Sequence, residues 1–110
     1  MNVRWIHKIP VIELSGRFLG DPQTAAFRAE TERLQELGAA NVVVDMGGLE
    51  SLNSYGLGTL LSVARTLREA GGDVKLANLN DRTYNVMVVV TRMDGVFRIY
   101  ETAAGAAASY

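Results

Sequence analysis

Apolar and polar residues alternate from Val3 to Ile9, the period of a strand. The alternation sets Val3, Trp5 and His7 on one face and Arg4, Ile6 and Lys8 on the other. Pro10 has no N–H to give to a ladder and marks an edge or a turn. Val11 to Leu14 is predicted as a second short strand, ended by Ser15-Gly16. So short a connection leaves no room for a crossover, so the pair is expected to be antiparallel. Gly20-Asp21-Pro22 reads as a loop, with Asp21 as a helix cap and Pro22 as first helical residue. From Thr24 to Leu37, the residues Phe27, Thr31, Leu34 and Gly38 fall near helical spacing, and charged residues fill the other face. That pattern is an amphipathic helix covering a sheet and stopping at Gly38.

Val42-Val43-Val44 is a β-branched run ending in Asp45, as in a strand buried on both faces between parallel neighbours. Met46 to Leu52 reads as a loop. Leu57, Leu60, Leu61, Ala64 and Leu67 then form one helical stripe, ended by Gly71-Gly72, with Ser54 at the expected N-cap. Asp73 to Leu79 is a further strand with Val74 and Leu76 on one face. Val86 to Val90 favours a strand on propensity, while an Asp81 cap and the spacing of Tyr84, Met87, Val88 and Thr91 favour a helix. The running β-α-β order decides for the helix. As a helix, residues 86–93 are apolar nearly all round. The sheet covers the surplus, or it is a homodimer or partner surface. Phe97 to Tyr100 is a last strand, and residues 103–110 are a low-complexity tail without apolar bulk to anchor it. The reading is one α/β domain over residues 1–102, in the order β-β-α-β-α-β-α-β. It forms a small mixed β-sheet with helices packed mainly on one face.

Composition narrows the function. The chain has 110 residues, enough for one core. Eleven basic residues stand against twelve acidic ones, so nothing provides the positive excess that nucleic acid demands. Cysteine is absent, which excludes disulfides and thiolate chemistry. The longest apolar run, Val86 to Val90, is far shorter than the ~20 residues of a membrane helix, so no direct membrane insertion is expected. The start lacks a signal-peptide plan, and a cytoplasmic location is the expectation. His7 is the only histidine, read as a half-buried strand residue, and no Ser-His-Asp set can be assembled around it. Gly56-Leu57-Gly58 lacks the third glycine of a dinucleotide loop and the lysine of a Walker loop. Glu30 and Glu32 lie on a solvated helix face, and no carboxylate pair is set for acid–base work. The expectation is a non-enzyme with no catalytic residues, no metal and no cofactor.

The segment Asn53 to Gly58 is the informative one. Two glycines inside a helix's first turns cost up to ~1 kcal/mol each against alanine. Their missing side chains suit a partner that approaches closely, or tight packing of that turn on the sheet. Tyr55 beside them is expected to be partly exposed. Val42-Val43-Val44-Asp45, Leu49, Leu52-Asn53-Ser54, Gly56-Leu57-Gly58 and Leu60 together resemble the STAS domain signature. That family includes the bacterial anti-sigma factor antagonists and the cytoplasmic tails of sulfate transporters.

The resemblance implies a small sheet with helices and makes Ser54 the phosphoacceptor. It puts Asn53, Ser54, Tyr55, Gly56 and Gly58 at the partner-binding surface and matches Asp45 to the family's strand-end acid. The partners it implies are an anti-sigma factor that is also a serine kinase, bound while Ser54 is unphosphorylated, and a serine phosphatase. Asn53 departs from the aspartate common at that position, and Tyr55 is bulkier than usual. A phosphate would carry the domain from −1 to roughly −3. A helix N-terminus tolerates such an anion, so the surface would change sign without unfolding. The alternatives are a constitutive STAS subunit of a transporter-associated or stress-signalling complex without Ser54 switching, and a small enzyme or nucleotide-binding domain.

Overall fold

A computed structural model describes all residues, 1–110. Five strands lie side by side in chain order: β1 (Asn2–Ile6), β2 (Ile9–Phe18), β3 (Asn41–Leu52), β4 (Asp73–Ala77) and β5 (Arg98–Tyr100). β1 runs antiparallel to β2, and all later pairs are parallel, so the sheet is mixed as expected. Helices α1 (Gln23–Glu36), α2 (Ser54–Glu69) and α3 (Asp81–Tyr84) are the crossovers. α3 continues as a wider π-helical turn over Asn85–Val90, so this apolar segment is helical, not a strand. A 3-10 turn, Met93–Gly95, leads into β5.

A sheet that advances in one direction through crossovers of one hand carries its crossover helices on one face. The main core lies on that face. Ile12, Val42, Val44, Val74 and Leu76 point from the sheet to Phe27, Leu34, Leu60, Leu67 and Met87 of the helices. Val11, Val43 and Ala77 alternate to the opposite face. There they meet α4 (Ala103–Ala108), through Ala103, Ala106 and Ala107. The tail expected to lack an anchor is thus folded on the sheet. Alanine supplies little bulk, and the anchors are the last two residues. Ser109 bonds Lys75, and the Tyr110 hydroxyl donates to the carbonyls of Val42 and Asp73 at 2.6 and 2.8 Å.

Other boundaries moved for local reasons. The first two strands meet at His7-Lys8, not at Pro10, because Ile6 pairs with Ile9 and His7 takes a left-handed φ of 55°. His7 is therefore an exposed turn residue, and the expectation of a half-buried strand histidine is corrected. Pro10 sits inside β2 opposite Trp5, one step past the pair that closes the turn, and β3 joins only from Val11. Its missing N–H costs no ladder bond there. Met46 to Leu52 is strand, not loop: β3 keeps pairing with β2 through two register shifts to Phe18–Leu52. The expected Asp caps are also corrected. Asn80 caps α3, its Oδ1 accepting from the Thr83 N–H at 2.9 Å, while Asp21 accepts from the Thr24 hydroxyl at 2.6 Å.

Candidate functional site

β3, the central strand, delivers the chain from its C-terminal end to the start of α2, and Asn53 makes the turn. Its backbone is extended, at φ −117° and ψ −174°. Its side chain bonds in two directions. Oδ1 accepts from the Gly56 N–H at 2.9 Å, and Nδ2 donates to the Leu19 carbonyl at 3.0 Å. One carboxamide caps α2 and ties it to the end of β2. The capping role expected of Ser54 therefore belongs to Asn53, and Ser54 is the first helical residue.

That shift of one position decides what Ser54 is free to do. A serine cap spends its hydroxyl on a backbone N–H. Ser54 is exposed, and its hydroxyl makes no hydrogen bond within the chain. The first N–H groups of a helix have no partner inside the helix. Asn53 satisfies that of Gly56, which leaves those of Ser54 and Tyr55 without a partner inside the helix. No acidic side chain occupies the first turn to offset the positive end of the helix dipole.

The two glycines separate into different roles. A β-carbon on Gly56 would lie 2.1 Å from the Phe18 carbonyl oxygen and 2.9 Å from Leu52 Cδ1. Gly56 is buried by this close approach and offers no surface, which corrects its place at a partner-facing position. Gly58 is exposed, and a β-carbon there would meet nothing within 4 Å. Tyr55 stands 58% exposed beside Ser54, as its position in the sequence suggested. Its carbonyl accepts from the Thr59 hydroxyl at 3.1 Å, so the backbone of the first turn is fixed while the ring is free.

Asp45 is not part of this cluster. Its neighbours Val44 and Met46 enter the main core, so the alternation sends Asp45 to the sheet's other face. There Oδ1 accepts from Asn78 Nδ2 at 3.1 Å and from the Gly47 N–H at 3.0 Å. It orders the ends of β3 and β4. Residues 86–93 bury Met87 in the main core and leave Val89 and Val90 61% and 67% exposed. No group of three or more His, Cys, Asp or Glu side chains converges as metal ligands would. No helix is long and apolar enough to cross a membrane. The capping role of Asn53 and the part played by the Phe18–Leu19 backbone are what sequence reasoning passed over. The available signal was that asparagine ranks with serine as a cap.

Comparison with known proteins agrees with this architecture. The family model described as "Mlab, STAS domain" matches residues 1–99. The TM1081 homolog of Thermotoga neapolitana is 26% identical over 69 residues, 63% of this chain. The match spans 60% of that relative's length. The crystal structure of TM1081 from Thermotoga maritima superposes with a TM-score of 0.85 at 16% identity, covering 98% of this chain and 92% of that one. The Bacillus cell fate determinant SpoIIAA in its phosphorylated form gives 0.74 at 19%, covering 98% and 96%. The chain belongs to the STAS domain family and has the fold of its anti-sigma factor antagonists.

Proposed function

We propose that this protein is a phosphorylation-controlled binding module. In this reading it is an anti-sigma factor antagonist, held by an anti-sigma factor that is also a serine kinase while Ser54 bears a free hydroxyl. One observation carries the reading: Asn53 does the capping, so the Ser54 hydroxyl is exposed and uncommitted at the start of α2. Asn53, Ser54, Tyr55 and Gly58 form the surface, and Gly56 lets the first turn sit low on β2.

The chemistry belongs to the kinase. Its base takes the hydroxyl proton, Oγ attacks the terminal phosphorus of ATP, and ADP leaves with the electrons of the broken P–O bond. Hydrolysis by a serine phosphatase returns the hydroxyl and releases phosphate. The new charge sits beside the N–H groups of Ser54 and Tyr55, so the fold accepts it. A partner carboxylate about 4 Å away is repelled by up to about 4 kcal/mol per unit charge at an effective dielectric near 20. That is about a thousandfold in affinity, with no change of shape required. Incubation with a cognate kinase and ATP, followed by mass spectrometry, tests the assignment. One phosphate on Ser54 is expected, and a phosphate on another residue, or none, contradicts it.

A second reading keeps the surface and drops the switch. The uncharged asparagine at position 53 beside Ser54 favours it. Ser54 would then be a contact residue of a constitutive STAS subunit, and a Ser54→Asp variant would bind its partner unchanged. In either reading the exposed Val89–Val90 strip is where self-association would form. A concentration-dependent rise in mass by light scattering supports that, and a constant monomer mass removes it.

A further inference from the structure

Lys75 lies on β4 with its side chain on the face opposite the main core, and it is only 5% exposed. No carboxylate pairs with it. Its ammonium instead donates to the Ser109 carbonyl at 2.9 Å and the Ser109 hydroxyl at 2.7 Å. It also lies 4.0 Å from the centre of the Tyr110 ring and 5.7 Å from that of Tyr100. Three of these four contacts come from the chain's last two residues. The charge is thus held by polar oxygens and aromatic faces that water can replace, so an open state leaves no buried cation without a partner.

The cover itself is weak. α4 has six residues, contains Gly105, and buries three alanine methyls against the sheet, with the partly buried Tyr110 ring the one large apolar group after them in the chain. A helix this short does not persist without its docking contacts. Glu101 and Thr102 alone join it to β5. The main core, by contrast, joins β2, β3 and β4 to α1, α2 and the π-helical turn that continues α3. Elements with so few apolar contacts open at a free energy below that of global unfolding.

We infer that residues 103–110 are a detachable strap locked over Lys75. The strap opens while the rest of the domain stays folded, making the Lys75 amine and the Val11–Val43–Ala77 face intermittently available. Lys8 and Lys75 are the only lysines, and Lys8 is an exposed turn residue, so the chain contains its own control. The test is acylation of the full chain with an amine-reactive acetyl ester, read by mass spectrometry at both lysines. Amide exchange of Val43 and Val44 is followed in parallel. Lys75 is expected to react more slowly than Lys8, yet under conditions where the β3 amides stay protected. Tyr110→Phe and Ser109→Ala, each removing a latch bond, should speed Lys75 by about tenfold and leave Lys8 unchanged. The inference is overturned if Lys75 reacts only in step with β3 amide exchange, or if both variants leave its rate unaltered.

Discussion

Gly56 and the Phe18 carbonyl approach so closely that a β-carbon at residue 56 would lie 2.1 Å from the oxygen. The oxygen is backbone, at the end of a paired strand, and has little room to yield. Gly56→Ala is therefore expected to destabilise the domain by about 1–3 kcal/mol despite alanine's better helix propensity. Gly58→Ala meets open space and should stabilise by up to about 1 kcal/mol. Thermal or denaturant unfolding of the two variants checks this opposite pair of signs. If Gly58 is part of the partner surface, its more stable alanine variant should also bind more weakly.

Asn53 supports the same turn from its other side. Asn53→Ala loses both the bond to Gly56 and the tie to Leu19, at a cost of about 1 kcal/mol or more. Asn53→Asp keeps a capping oxygen and adds a favourable charge at the helix start, but gives up the donor to Leu19. Its stability should fall between that of Asn53→Ala and the wild type or slightly above. Denaturant midpoints of the three proteins give the order.

The strap has a pH signature. Burial, then the charge of Asp73, raises the Tyr110 hydroxyl above its ordinary value near 10. The unfolded or released tyrosine ionises first, so the contribution is fully present below about pH 10 and is lost as pH rises beyond it. Asp73, Lys75 and Tyr100 are the titratable groups around it. Alkaline titration should loosen α4 before the main core, seen as faster exchange of the Ser109 and Tyr110 amides. Tyr110→Phe should flatten that dependence.

Most of the scaffold was written in residue periodicity. The Val42–Val44 run lies at the sheet's centre, and the stripe from Leu60 to Leu67 faces the main core. Apolar spacing encodes such elements directly because burial drives them. The errors came where another force decided. His7 turns a hairpin without the glycine or asparagine that usually marks one. Gly47 and Gly48 read as a loop, yet they lie within β3, whose pairing with β2 resumes at Gly48–Ser15. The tail lacked apolar bulk, and its anchors, Lys75 and the Val42 carbonyl, lie far away in sequence. At the candidate site the serine and its exposure were legible. Its position was off by one residue, because serine and asparagine compete on equal terms for a cap. The geometry gave that place to the residue that also reaches Leu19.

A Ser54→Asp substitution brings the central claim to a single number, its affinity for the cognate anti-sigma factor kinase against that of the wild type. Calorimetry of both proteins with the purified partner measures it, and their melting curves show whether the fold is kept. The account predicts an unchanged or slightly higher melting temperature, with binding weaker by about a hundredfold to a thousandfold. Equal affinity of the folded variant and the wild type would contradict it.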